Sequence, residues 1–398
     1  MRPFEGRRVL LVVSGGIAAY KSACLVRRLL RAGAEVDVVL TSSARRFVGE
    51  ATFEGLTGRP VHTDLWERPM AHLELGREAD VVVAAPATAD LLGRAAAGRA
   101  DDLASTVLLA ADAPVVACPA MNVRMWEHPA TRRNVARLRE HGVRIVGPAR
   151  GELAEGEVGP GRMAEPAEIQ SELGRVLEAE RTLADREVVV TGGPTRAWID
   201  PVRFLSNGAS GRMGAALAAA AWRRGAVTTL VAGPGSAPPP YGPRVLEVET
   251  AGEMLDALRA ELEGADVLLM AAAVSDFSPG APREDKIKKS GGALELRLEP
   301  GPDLLSETAD LRRSRGVFTL GFALETGNGR ESARRKLDEK ELQMVALNEA
   351  GRPGVGMGSA TNEVTLIGPG DRVEDLPLMT KEELADRLLD RVAVEAGS

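Results

Sequence analysis

Aromatic side chains make up only 3% of the 398 residues, and cysteine is scarcer still, with Cys24 and Cys118 alone. Two cysteines build neither a disulfide framework nor a thiolate-rich metal site, so a reducing compartment is expected. No apolar run approaches the roughly 18 residues that span a bilayer. The N-terminal residues lead into a short apolar stretch that stops at Ser14-Gly15-Gly16 without a signal-cleavage pattern. The expectation is a soluble, cytoplasmic protein with no membrane partner. Basic residues are outnumbered, 50 Lys and Arg against 57 Asp and Glu. Without a continuous basic tract to follow a phosphate backbone, nucleic acid is disfavoured as the main partner.

Small apolar residues, by contrast, are plentiful: hydrophobic residues reach 44%, so the cores must be built mainly from Ala, Val and Leu. The length suits two domains of about 200 residues each. Val9-Leu10-Leu11-Val12-Val13 has the length and branching of a buried strand, and Leu25, Val26, Leu29 and Leu30 follow at helical spacing before Gly33. Glu35 to Leu40 then completes a βαβ unit. Val81 to Ala84 and Val115 to Ala117 each run into a polar or Pro-containing loop, which predicts a parallel sheet whose strand ends carry a site. Residues 147–162 are rich in Gly, Pro and Glu without core periodicity and read as a lid loop; residues 164–183 read as helical.

The strand-Gly-helix pattern restarts at Arg186 to Val190, dividing the chain into domains 1–185 and 186–398. Val227 to Val231, Val267 to Met270 and Val317 to Gly321 are the expected strands of the second half. Residues 278–292 form a polar, basic, Gly-rich flap. Thr380-Lys381-Glu382-Glu383 has capping-box spacing ahead of an apolar face of Leu384, Leu388 and Val392, which reads as structural closure.

Four strings in the first half carry polar groups next to strand ends: Ser14-Gly15-Gly16-Ile17, Ala71-His72-Leu73-Glu74, Ala85-Pro86-Ala87-Thr88 and Pro119-Ala120-Met121-Asn122. Paired glycines permit both a tight turn and phosphate binding on exposed amides. Taken singly, His72 fits a packed histidine and Asn122 a turn former. Together with Ala100 to Thr106 and Gly159-Pro160-Gly161-Arg162-Met163, these strings closely resemble the flavin-dependent phosphopantothenoylcysteine decarboxylases. The resemblance implies FMN surrounded by Ser14, Gly15, Gly16, Thr41, Ser42, Thr88 and Ser105. It implies His72 as the base, with Asn122 orienting the substrate carboxylate while the cysteinyl carbon is oxidised and carbon dioxide leaves. Two departures stand out. The family lid carries Ala-Cys-Gly where this chain has Ala154-Glu155-Gly156, so the usual thiol donor is absent. Glu155 takes its place, either as the acid or as an exposed lid residue. Asp101 stands where relatives often have Asn, and an ionised Asp only accepts.

The second half opens with Thr191-Gly192-Gly193-Pro194-Thr195, then Ser206-Asn207-Gly208-Ala209-Ser210-Gly211-Arg212, a turn able to cradle an anion or merely to cap a helix. Ala271 to Phe277, Lys286-Ile287-Lys288-Lys289 and Gly321 to Thr326 follow, and Lys336 and Lys340 lie four apart on one helical face. In this order the strings are similar to phosphopantothenate-cysteine ligase. That resemblance implies an acyl-cytidylate made from 4'-phosphopantothenate and CTP, then joined to cysteine. Asn207 and Lys286 would act on it, Asp276 and Phe322 would meet the cytidine, Lys336 and Lys340 would bind anions, and Mg2+ would accompany the nucleotide. No dense carboxylate cluster marks a protein-built cage for the metal. Arg212 replaces a common Lys, and Gly301 a common Asn.

The two resemblances imply an α/β protein of two fused doubly wound Rossmann-like domains, a flavoprotein fold followed by a CTP-dependent ligase fold. The second domain's product, 4'-phosphopantothenoylcysteine, would be the first domain's substrate. A homo-oligomer is implied, and a dodecamer satisfies both the trimeric and the dimeric halves of the family. The alternatives are an FMN-dependent oxidoreductase without productive decarboxylation and a flavin- or nucleotide-binding regulatory protein.

Overall fold

Val and Leu runs with almost no polar interruption make strands that can be covered on both faces, and they dictate parallel sheets here. The structure, a computed structural model, describes residues 3–66, 68–153, 156–178, 180–238, 241–289, 294–326, 329–349, 351, 354–370 and 372–397. The chain divides into two units, residues 1–179 and 180–398.

In the first unit β1 (Arg8–Val13), α1 (Ala19–Arg31), β2 (Glu35–Leu40), α2 (Glu50–Thr57) and β3 (Val61–His62) form one half of the sheet. The other half follows as α3 (Ala71–Glu78), β4 (Val81–Ala87), α4 (Ala89–Ala96), α5 (Leu103–Ala110), β5 (Val115–Pro119), α6 (Val123–Glu127), α7 (Pro129–Glu140) and β6 (Arg144–Ile145). The strands are all parallel in the order β3-β2-β1-β4-β5-β6, so the winding reverses between β1 and β4. Alternation along β1 splits the core: Val9, Leu11 and Val13 join the layer of Leu25, Val26 and Leu29 of α1, while Leu10 and Val12 join Leu91 and Leu103 on the opposite face. The expected lid loop contains a hairpin, β7 (Ala149–Glu152) against β8 (Val158–Arg162), and the following helix α8 (Pro166–Leu177) is shorter than its composition suggests.

The second unit repeats the plan. Its elements begin with β9 (Glu187–Gly192), the small hairpin β10 (Arg196–Trp198) and β11 (Phe204–Ser206), α9 (Arg212–Arg223), β12 (Val227–Ala232), β13 (Arg244–Glu247) and α10 (Ala251–Glu261). Then come β14 (Val267–Met270), the paired β15 (Phe277–Pro279) and β16 (Leu298–Pro300), α11 (Leu304–Glu307), α12 (Ala309–Arg315), β17 (Phe318–Glu325), α13 (Gly329–Glu339) and β18 (Met344–Glu349). The main sheet runs β13-β12-β9-β14-β17-β18, the same order, with its reversal between β9 and β14. Two antiparallel strands extend it, β19 (Thr361–Ile367) and β20 (Val373–Thr380), and α14 (Lys381–Ala396) closes the unit against α9. Thr380 and Glu383 form the expected capping box of α14. Among the described residues no helix is long and apolar enough to cross a membrane.

Candidate active sites at the carboxyl edges of the two sheets

In an open parallel sheet, ligands bind beyond the carboxyl ends of the strands, where the winding reverses. In the first unit that point is held by Ser14, whose buried hydroxyl donates to the Pro86 carbonyl at 2.7 Å and accepts from the Thr88 amide at 3.0 Å. Thr88 in turn caps α4, accepting from the Leu91 amide. Gly15 is required by close approach, since a Cβ there would lie 2.8 Å from the Ser43 carbonyl carbon. At Gly16 the nearest atom to such a Cβ is Thr88 Cγ2 at 3.9 Å, so the edge stays open. Thr41, just past β2, accepts from the Ala44 amide, and Ser42 beside it is exposed.

Helices that return to the next strand start at this same edge, which brings in α3 and α5. His72 lies in the first turn of α3, half-buried, and its Nδ1 is enclosed with no hydrogen-bond partner among the described residues. Ser105 is fully buried in a capping box with Asp102: its amide donates to Asp102 Oδ1 at 2.8 Å and its hydroxyl at 2.7 Å. That hydroxyl also accepts from the Asp101 and Asp102 amides, so it is engaged in the turn. Burial disfavours the Asp102 charge, yet the bonds from Ser105 and Arg94 hold its pKa below the ordinary carboxylate value.

Asn122 caps α6 through its carbonyl oxygen, which accepts from the Arg124 amide at 2.8 Å, and its Nδ2 donates to Glu157 Oε2 at 3.3 Å. Glu157 belongs to the hairpin connection, so the lid lies against the Asn122 turn. Met121 donates its amide to the Gly161 carbonyl at 3.0 Å, and a Cβ on Gly161 would drive into the Met121 carbonyl oxygen. Gly161→Ala is therefore expected to cost about 1–3 kcal/mol by overpacking and to undock the hairpin, read as urea destabilisation with faster proteolytic nicking near residues 150–160. Cys118 is fully buried within the apolar core, and burial raises its thiol pKa. Glu155 lies outside the described residues.

In the second unit a cleft of about 760 Å³ opens at the same edge, with Asn207, Arg212, Asp276, Phe322, Lys336 and Lys340 among its lining. Asn207 follows β11, and its Nδ2 donates to the carbonyls of Ala273 at 3.0 Å and Val274 at 3.1 Å. Two carbonyl acceptors fix the orientation of the amide and leave Oδ1 as the atom able to meet a ligand. Lys340 bridges Asp303 Oδ2 at 2.7 Å and Ser306 Oγ at 2.9 Å. Its backbone carbonyl accepts from Arg312, a buried side chain that also holds the Leu305 carbonyl, so the core fixes this end of α13. Lys286 is exposed on the flap; the neighbouring Ile287 amide donates to the buried Asp200 carboxylate at 3.1 Å.

Lys336 donates to the Phe322 carbonyl at 2.8 Å, and burial pushes its pKa below the ordinary lysine value. The unfolded chain then binds the proton more tightly, so native stability rises with pH between the depressed folded pKa and the unfolded value. The thermal midpoint of the wild type is expected to gain on that of Lys336→Met across this alkaline window, as measured by scanning calorimetry.

The cleft also holds Lys381, Asn348 and Asn362, which sequence reasoning missed as site residues. Lys381 was visible only as part of a capping box. A lysine at the first position of a helix opposes the dipole and was the available signal. Among the described residues, no three His, Cys, Asp or Glu side chains group to hold a metal ion.

Comparison with known proteins bears on both units. The Flavoprotein family model matches residues 2–178, and that of the DNA/pantothenate metabolism flavoprotein C-terminal domain matches residues 183–395. The coenzyme A biosynthesis bifunctional protein CoaBC of Vibrio vulnificus (strain YJ016) is 42% identical over 404 residues, covering 100% of both chains. The protein of that name from Bacillus subtilis (strain 168) is 40% identical, covering 98% of this chain and 97% of its own. A crystal structure of the C-terminal domain of a CoaBC protein is 33% identical over 54% of this chain and 98% of that one, with a TM-score of 0.46. With two family models matched in tandem and relatives aligned from end to end, the chain belongs to the family of bifunctional enzymes of coenzyme A biosynthesis.

Proposed function

We propose that the second unit uses CTP to join 4'-phosphopantothenate to cysteine, and that the first unit decarboxylates the resulting 4'-phosphopantothenoylcysteine to 4'-phosphopantetheine. The observation that carries this reading is the fixed amide of Asn207 in a cleft that also presents Lys336 and Lys340. Attack of the substrate carboxylate on the α-phosphorus of CTP releases pyrophosphate and leaves an acyl-cytidylate. The cysteine amine then displaces CMP, forming the amide bond. Lysines offset the phosphate charge, and the free Oδ1 of Asn207 accepts from the incoming amine, holding its lone pair toward the acyl carbon. Asp276 and Phe322 supply the cytidine side, Lys286 comes in with the flap, and Mg2+ accompanies the nucleotide phosphates.

The residues at the first carboxyl edge fit FMN: the open position beside Gly16 and the unsatisfied His72 nitrogen are both features that a bound group would complete. Ser14, Gly15, Gly16, Thr41, Ser42 and Thr88 would hold it, with Ser105 supporting the adjacent turn. Bound FMN supplies the two-electron chemistry at the cysteinyl carbon. His72 Nδ1 takes or returns a proton, and Asn122 Nδ2 orients the substrate carboxylate, which must displace Glu157 from that donor. Glu155 is the candidate acid for the last protonation.

A homo-oligomer accompanies this reading, with a dodecamer as the assembly that satisfies both halves. Mass measurement across protein concentrations tests it, and a fully active monomer would reject it. The function itself is tested by giving the FMN-loaded chain phosphopantothenate, cysteine, CTP and Mg2+ and following both products. Flavin reduction without carbon dioxide would favour an oxidoreductase, and binding without turnover a regulatory protein.

A further inference from the structure

Arg212 and Lys381 are the first residues of α9 and α14, two helices that pack on each other, and both line the second cleft. Arg212 is exposed and makes no ion pair among the described residues. Lys381 is only 4% exposed, and among the described residues its ammonium reaches two acceptors, the carbonyls of Met357 at 3.2 Å and Gly356 at 3.3 Å. A buried ammonium that makes no ion pair among the described residues is costly; the neighbouring Glu382 offsets part of that cost and the second cation, Arg212, adds to it. Burial first, then Arg212, push the Lys381 pKa below the ordinary lysine value. Both cations also sit where the helix dipole already favours negative charge. Every one of these costs is relieved by the same thing, a multiply charged anion in the cleft. The other lysines of the cleft, Lys336 and Lys340, stand on or just beyond α13, and Lys340 is already paired with Asp303.

We propose that Arg212 and Lys381 form a second phosphoryl-binding pole of the cleft, separate from Lys336. It takes either the pyrophosphate end of the nucleotide or the phosphate monoester of the acid substrate. Two cations match the charge of a phosphoryl group better than that of a single carboxylate. The inference rests on the ligase reading of this cleft.

Calorimetric titration of the full chain with pyrophosphate, CTP and phosphopantothenate tests it. Arg212→Gln and Lys381→Met are each expected to weaken binding by about tenfold or more. Loss for pyrophosphate and CTP assigns the pole to the nucleotide, and loss for phosphopantothenate alone assigns it to the monoester. Unliganded Lys381→Met should melt no lower than wild type, because it removes a buried charge. Thr361→Val loosens the same loop, where Thr361 Oγ1 donates to the Gly354 carbonyl at 2.8 Å, without touching cleft charge. It should leave all three affinities within about twofold. Thr361→Val weakening binding as much as Lys381→Met would overturn the proposal in favour of loop support. So would both charge variants binding all three ligands like wild type. Should Lys381→Met fail to fold, the exposed Arg212→Gln decides alone. A wild type that binds none of the ligands overturns the ligase reading as well, whereas binding unaffected by the variants overturns this inference only.

Discussion

Replacing His72 with Gln will lower decarboxylation of 4'-phosphopantothenoylcysteine by about 10²- to 10⁴-fold, the usual worth of a positioned general base, and leave its synthesis intact. Gln keeps a polar group in the first turn of α3 but cannot exchange a proton near neutral pH. Among the described residues His72 Nδ1 is enclosed and has no hydrogen-bond partner, so no local contact at this edge uses that nitrogen. Thr41, Thr88 and Ser105, by comparison, have their hydroxyl oxygens engaged by local amides. Because the ligase cleft is built within the second unit, its rate serves as an internal control in the same sample. Carbon dioxide release and phosphopantothenoylcysteine formation are followed together. Parallel loss of both would indicate unfolding, and unchanged carbon dioxide release would remove His72 from the mechanism.

Asn207 carries the second large effect. Asn207→Ala is expected to retain nucleotide binding but to slow consumption of the acyl-cytidylate by about 10- to 100-fold, the equivalent of a lost directional bond. Asn207→Asp should be at least as damaging although it is nearly isosteric. Its carboxylate would set oxygen against the Ala273 and Val274 carbonyls, which now accept from Nδ2. Added negative charge would also oppose the nucleotide. Rapid-quench mass spectrometry after adding cysteine measures the intermediate directly; wild-type consumption in both variants would sink the assignment.

Much of this architecture is legible in the chain because buried parallel strands leave unbroken apolar runs. Val9 to Val13 and Val267 to Met270 are strands in the structure as in the sequence, and both lead into the Gly- or Ser-bearing turns that mark the sites. Elements that are not buried on both faces escaped. β19 alternates Asn362, Val364 and Leu366 inward with polar residues outward, and β20 is an edge strand bearing Pro377, a residue tolerated only where no ladder donor is needed. The lid hairpin lacks apolar periodicity because its strands pair mainly with each other and half of their residues remain open to solvent. At the sites, residue type alone does not tell a hydroxyl open to a ligand from one engaged in a cap, as the Ser105 hydroxyl is with Asp102. Lys381 shows the converse, a capping-box neighbour whose side chain turns inward to the cleft.

The shared strand order also sets when each site can come into being during synthesis. The reversal point of the first unit requires Val9 to pair with Val81, and that of the second requires Val188 to pair with Val267. Each closure spans roughly 70–80 residues, a long excursion whose entropic cost falls before any contact rewards it. A ribosome-bound chain that has emerged only through β2 and β3, or through β12 and β13, holds strands and helices but no carboxyl-edge pocket. Domains fold as units and the N-terminal one first, so the decarboxylase edge is complete while the ligase half is still being translated. The enzyme that acts second in the reaction sequence is thus the first to be assembled.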